Sequence, residues 1–218
     1  MPQGCLIQLA IVIVMAVANN MINRYGPDSI YGANIPLSAV GIIMKVFAII
    51  IAFAVGIGVG GQPIVGYNFG AGNYRRVKET YRAIVLAVCI VGIIAMLLFE
   101  LCPQVLVSLF GNESELYNQY AQLCFRIFLG GILLTCLQKV SSIFLQSMGR
   151  PLQSTLLSLA RDVVFFVPAL LFLAPRYGVE GMLWATPIAD VLTGILAALL
   201  VASEMRRLTA LENAPHKH

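Results

Sequence analysis

Six apolar stretches, at about 4–23, 36–62, 82–102, 121–147, 152–174 and 179–203, occupy most of this 218-residue chain. Each holds about 20 residues or more, the length an α-helix needs to cross a hydrocarbon core of about 30 Å. Lipid offers no water to exposed backbone N–H and C=O groups, so a spanning segment must be a helix or part of a closed barrel. Barrel strands alternate apolar and polar residues, whereas these stretches are continuously apolar. The chain is therefore expected to be an all-α membrane protein, a bundle of six transmembrane helices. Charged residues make up only 11% of it, about half of what a soluble domain carries.

Turn signals separate the stretches: Gly26-Pro27-Asp28, a glycine-rich segment after Gly60, Gly111-Asn112, Gly149-Arg150-Pro151 and residues 175–178. Short connections make neighbouring helices antiparallel. Of the fourteen Lys and Arg residues, Arg75, Arg76, Lys78, Arg82, Arg150, Arg206, Arg207 and Lys217 fall on one side. Arg24 and Arg176 fall on the other. The bias predicts a cytoplasmic location for both termini, with residues 204–218 as a cytoplasmic tail. The first stretch has neither a basic n-region nor a small-residue cleavage site, and is expected to be retained as a helix. The basic residues form no face beyond one short loop, so a membrane lipid surface and not nucleic acid is the expected partner there. Asn73 is placed to cap a short surface helix through Arg82.

Gly56, Gly58 and Gly61 satisfy the GxGxxG spacing of dinucleotide sites, but that spacing needs a preceding strand and a following helix start. At the end of a membrane helix, Gly56 and Gly60 read better as a small-residue face for helix packing. Gly60, Gly61 and Pro63 are expected to loosen the helix end. The five cysteines (Cys5, Cys89, Cys102, Cys124 and Cys136) contain no CxxC pair and read as structural thiols. No metal or cofactor is expected, and no paired catalytic constellation suggests an enzyme.

Ionisable and amide groups within membrane helices are costly and mark pathways or ion pairs. Asp190 lies about eleven residues into the sixth span, near mid-depth, with Thr186, Thr193 and Gly194 on its face. Asp162 lies at similar depth in the fifth span beside Arg161. Adjacent residues point about 100° apart on a helix, so these two are expected to find partners on other helices. Asp190 or Asp162 would neutralise Arg161 or Lys45, or serve transport directly. Lys45, Arg126, Lys139 and Arg161 are the cations within spans. Thr135, Gln138, Ser142 and Gln146 form a polar stripe on the fourth span, and Gln8, Asn19 and Asn23 form one on the first. The third span has no such stripe and is expected to be the most lipid-exposed.

Residues 61–79, GQPIVGYNFGAGNYRRVKE, closely resemble the multidrug and toxic compound extrusion (MATE) transporters. So do residues 144–151 (FLQSMGRP), then Val167-Pro168-Ala169-Leu170, Gly178-Val179-Glu180-Gly181 and residues 185–190 (ATPIAD). The resemblance implies a lobe of six helices from a twelve-helix fold, with the chain matching the second, C-terminal lobe. It further implies secondary active efflux of small organic cations by antiport with a proton or sodium ion, in the cytoplasmic membrane. The family's cavity lies between lobes, so the expected partner is an N-terminal six-helix lobe or a second copy of this chain. Some members use an acidic pair from the seventh and tenth helices; the matching first and fourth spans hold no acid here. Asp190, Asp162, Arg161, Lys45, Gln138, Asn19 and Gln8 are the candidate pathway residues. Two other readings stay open: half of a lipid-linked oligosaccharide flippase, which Lys45, Lys139 and Arg161 would suit, and a non-transporting membrane fragment.

Overall fold

The computed structural model describes residues 2–27, 29–32, 34–101 and 115–213, the side chains of 2–8, 128 and 129 excepted. Among the described residues seven α-helices follow in order: α1 Pro2–Tyr25, α2 Asn34–Gly70, α3 Tyr74–Leu101, α4 Glu115–Gly130, α5 Ile132–Ser147, α6 Pro151–Leu159 and α7 Val167–Glu212. A π-helical segment, Ala160–Phe166, joins α6 to α7. Among the described residues there is no strand. The fourth span is the pair α4–α5, bent by 47° near Gly131.

The fifth span, made of α6, the π segment and the start of α7, and the sixth span, the rest of α7, fold back on each other. Arg161 and Asp190 are 29 residues apart and touch at 2.8 Å. A straight helix would separate them by about 43 Å. The reversal is at Gly178, where φ is 62° and ψ is −147°, a backbone region open in practice only to glycine. Two more glycines set reversals by a shared motif. After α2, Gly72 (φ 74°) donates to Phe69 O at 3.2 Å and Asn73 donates to Asn68 O at 2.8 Å. After α5, Gly149 (φ 73°) donates to Gln146 O and Arg150 to Leu145 O, both at 3.0 Å. These paired bonds satisfy carbonyls that the helix end would leave unpaired.

The fold is apolar outside. The most apolar windows of α2, α3 and the 151–212 region bury only 17–22% of their residues, and Phe53, Leu86, Leu152 and Leu199 lie more than 60% exposed. Water would not tolerate so much contiguous apolar surface, whereas a bilayer supplies it with a matching solvent. The most apolar windows of α2 and α3 are alike in burial, at 17% and 22%, so exposure does not set the third span apart from the second. Inside, α2, α3, α4 and α5 share one core around Ile43, Val88, Phe125 and Leu145.

The end of the second span differs from expectation. Its helix does not loosen at Gly60–Pro63 but continues to Gly70. The physical reason is its neighbours. Gly58 faces Ile143 of α5, where an added Cβ would lie 2.9 Å from Ile143 Cδ1, and Gly61 faces Ile84 of α3. Tight packing on both sides holds the chain helical across Pro63. The close-packed glycines are thus Gly58 and Gly61; Gly56 and Gly60 have open space beside them. The basic segment after Asn73 is the start of α3 itself, continuous through Leu101, rather than a separate surface helix. Likewise the helix continues past residue 203 to Glu212, so much of the expected tail is ordered. His216, Lys217 and His218 lie outside the described residues, as does Cys102 and the side chain of Cys5. Cys89, Cys124 and Cys136 are free thiols.

One end of the bundle is tied by charge. Lys78 Nζ contacts Glu212 at 2.6 Å, Arg150 reaches Glu204 at 3.5 Å, and Arg207 reaches Glu204 at 3.2 Å. At the other end Tyr31 donates to Glu180 at 3.3 Å and stacks on Tyr120 with ring centroids 4.6 Å apart. The loops predicted to share a side therefore meet. Gly178→Ala is expected to cost about 1–3 kcal/mol and to lower the melting midpoint in detergent. Gly56→Ala, at an open helical position, is expected to leave it unchanged or raise it; equal midpoints would contradict the role given to Gly178.

Candidate functional site

The π segment creates the site. It lies just before Pro168, whose missing N–H and bulky ring disturb the preceding turn. Its wider winding brings Arg161 and Asp162 toward one cluster. Arg161 Nη1 donates to Asp162 Oδ1 at 2.9 Å, and Arg161 Nε donates to Asp190 Oδ1 at 2.8 Å. The expectation that neighbours in sequence would part is corrected for this pair: the long guanidinium reaches both carboxylates at once. All three groups are withdrawn from the surface, with side-chain exposures of 13% for Arg161, 12% for Asp162 and 1% for Asp190. The Phe47 ring centroid lies 5.8 Å from Arg161 Cζ, a cation–π contact that supports the same cation.

Gly131 makes room for the second carboxylate. A Cβ at this position would lie 2.7 Å from Asp190 Oδ2. The break between α4 and α5 thus places a side-chain-free patch of backbone against Asp190.

A cleft of about 170 Å³ opens beside the charged triad. Ile11, Val14 and Met15 of α1 and Met44 and Phe47 of α2 supply its apolar wall. Lys139 of α5, Arg161, Asp162 and Phe166 of the π segment, and Thr186 of α7 complete it. Thr186 is 1% exposed and its hydroxyl has no hydrogen-bond partner. Lys139 makes no hydrogen bond or ion pair among the described residues. The arrangement can hold an apolar body against fixed charges, although drug-sized pockets are larger, at about 300–1,000 Å³.

The candidates separate into two groups. Asp190, Asp162 and Arg161 come together. Gln138 is buried but faces α6, donating to Leu157 O at 3.3 Å. Ser142 Oγ on the same stripe lies 2.8 Å from Ser154 Oγ, so this stripe joins two helices. Lys45 of α2 and Asn19 of α1 are exposed and do not line the cleft, and the side chain of Gln8 lies outside the described residues. Phe47, Phe166 and Gly131 were not foreseen as site residues, and Lys139 was noted as a cation within a span and, with Lys45 and Arg161, as one that would suit a flippase. A helical projection carried the signal for Lys139, since it sits 100° from Gln138 and so leaves the α6-facing stripe.

Removing the arginine alone strands two buried carboxylates, a change that typically costs about 3–5 kcal/mol. Arg161→Met is expected to lower the melting midpoint in detergent strongly. Combining it with Asp190→Asn is expected to recover part of the loss. Strictly additive losses in this double-mutant cycle would show that the two residues do not stabilise each other.

A family model described as MatE matches residues 5–171. The chain is 24% identical over 198 residues to the multidrug export protein MepA of Staphylococcus haemolyticus (strain JCSC1435), covering 91% of this chain and 42% of that protein. It is 23% identical over 179 residues to MepA of Staphylococcus aureus (strain MSSA476), covering 82% of this chain and 39% of that one. The crystal structure of the Vibrio cholerae MATE transporter VcmN in the bent form superposes with a TM-score of 0.82 at 16% identity. That match covers 97% of this chain and 46% of VcmN. The chain spans less than half the length of the relatives it matches, and its helical bundle has the fold of the corresponding part. It belongs to the MatE family of membrane transporters.

Proposed function

We propose that this chain is the second, C-terminal lobe of a secondary active multidrug efflux transporter, exporting organic, mainly cationic, compounds by antiport with a proton or sodium ion. The observation that carries the proposal is the cleft. It joins an apolar wall to a buried Arg161–Asp162–Asp190 cluster, formally one negative charge in excess, with Lys139 beside it; once Lys139 is neutral, that excess suits an apolar molecule carrying a positive charge. The relatives' description as multidrug export proteins supports the same reading.

A cleft of about 170 Å³ needs a further wall to enclose a drug-sized molecule, and a first six-helix lobe or a second copy of the chain would provide it. The flippase reading needs cations free to hold phosphate. Arg161 is engaged by two carboxylates and Lys45 does not line the cleft; Lys139 does, but beside Asp162 and Asp190, two carboxylates that would repel a phosphate, so the geometry favours efflux. The protein would sit in the cytoplasmic membrane with the basic, ion-paired end of the bundle and both termini on the cytoplasmic side.

Cells carrying the chain together with a first lobe are expected to extrude ethidium in an energy-dependent way. Asp190→Asn and Asp162→Asn are expected to lower the initial efflux rate about tenfold or more at an unchanged membrane level, measured by immunoblot. Full efflux in both variants would sink the role given to the cluster. Cysteines placed in the 204–212 helix are expected to react with impermeant thiol reagents only from the cytoplasmic side; labelling from outside would reverse the orientation.

A further inference from the structure

We propose that Lys139 is the proton-exchanging group of this lobe: its ammonium balances the empty cleft, and it gives up its proton when an organic cation enters. The inference rests on the efflux reading above and names the exchanged particle at the same site.

Charge balance carries it. Arg161 is bonded to Asp162 and Asp190 together, which leaves the triad with one net negative charge. Lys139 lines the same cleft and supplies the one positive charge that makes the cluster neutral, yet it is bonded to neither carboxylate. It is a counter-ion held nearby rather than a fixed partner. The charged groups that act on it are Asp162, Arg161 and Asp190. Among the described side chains, α1 and α2 bring only apolar ones to the cleft, and α7 brings Thr186. Its own helix carries the buried thiol Cys136, one turn away.

An organic cation entering this cleft would raise the total to one net positive charge within the membrane, an unfavourable state. Arginine cannot relieve it, because guanidinium does not deprotonate in proteins, whereas lysine does so readily when desolvated. In the exchange the N–H bond of the ammonium breaks and its electron pair stays on Nζ. The proton passes to water on the side to which the cleft is open, and the cation takes its place as counter-charge. The total is zero before and after. Thr186 lines the same cleft, and its buried hydroxyl has no hydrogen-bond partner among the described residues.

The chain, assembled with a first lobe, would be titrated with tetraphenylphosphonium in weakly buffered detergent solution, with a pH dye reading released protons. About one proton per bound cation is expected, so affinity rises about tenfold per pH unit while the empty site holds its proton. Lys139→Met leaves a permanent negative charge. It is expected to bind at least tenfold tighter at the low end of the range, with no proton release and a flat pH profile. Lys139→Arg keeps a fixed cation and is expected to lose binding at least tenfold. Proton release and pH slope unchanged in Lys139→Met, with ethidium efflux intact, would overturn the role of Lys139 alone. Absent binding and absent efflux in every variant would overturn the efflux reading, and this one with it.

Discussion

The double engagement of Arg161 is the interaction on which the rest of the structure depends. One guanidinium within the membrane bonds one oxygen of each of two carboxylates, one beside it and one 29 residues on. Each charge alone costs about 2.5–3.5 kcal/mol to place at the centre of a membrane helix on insertion scales. Assembled, they neutralise most of that penalty and fix the relative depth of the fifth and sixth spans. The bond also requires the π segment that turns Arg161 inward, the reversal at Gly178 and the vacant position at Gly131. None of these three features has a separate purpose that explains it as well.

Packing and electrostatics divide the bundle between them. The core of α2, α3, α4 and α5 is ordinary close packing, with Gly58 and Gly61 admitting neighbours that any side chain would push away. The α1 wall is different: it packs mainly on α7, α6 and the π segment, with a small cluster around Ile22, Leu170 and Ala174. The cleft opens between these two regions, where apolar surface meets the charged triad. A site formed at such a seam can change shape without disrupting either core.

The helical class and the turn positions were legible because lipid imposes a simple length and continuity rule on each span. Gly149 and Gly178 announced their turns, and Asp190, Asp162 and Arg161 announced a cluster by their cost. What could not be read was three-dimensional. Pro63 looked like a helix end because its neighbours on α3 and α5 are invisible in one dimension. Arg161 and Asp162 looked divergent because the π turn is not encoded by periodicity. Gly56 and Gly60 matched a packing motif, but the helix turned Gly58 and Gly61 to its partners. Lys45 and Lys139 are equally apolar in setting along the chain, and only the fold separates the outer face from the cleft.

The reversal at Gly178 also bears on how the protein is made. In chain order the fifth span, carrying Arg161 and Asp162, reaches the membrane before the sixth, which carries Asp190. The later carboxylate completes the charge match, so the stable unit of insertion is the pair of spans and not either one. Gly178 lets the nascent pair close as a hairpin, and the sequence order of its charges makes the last helix the one that commits the previous one to the bilayer.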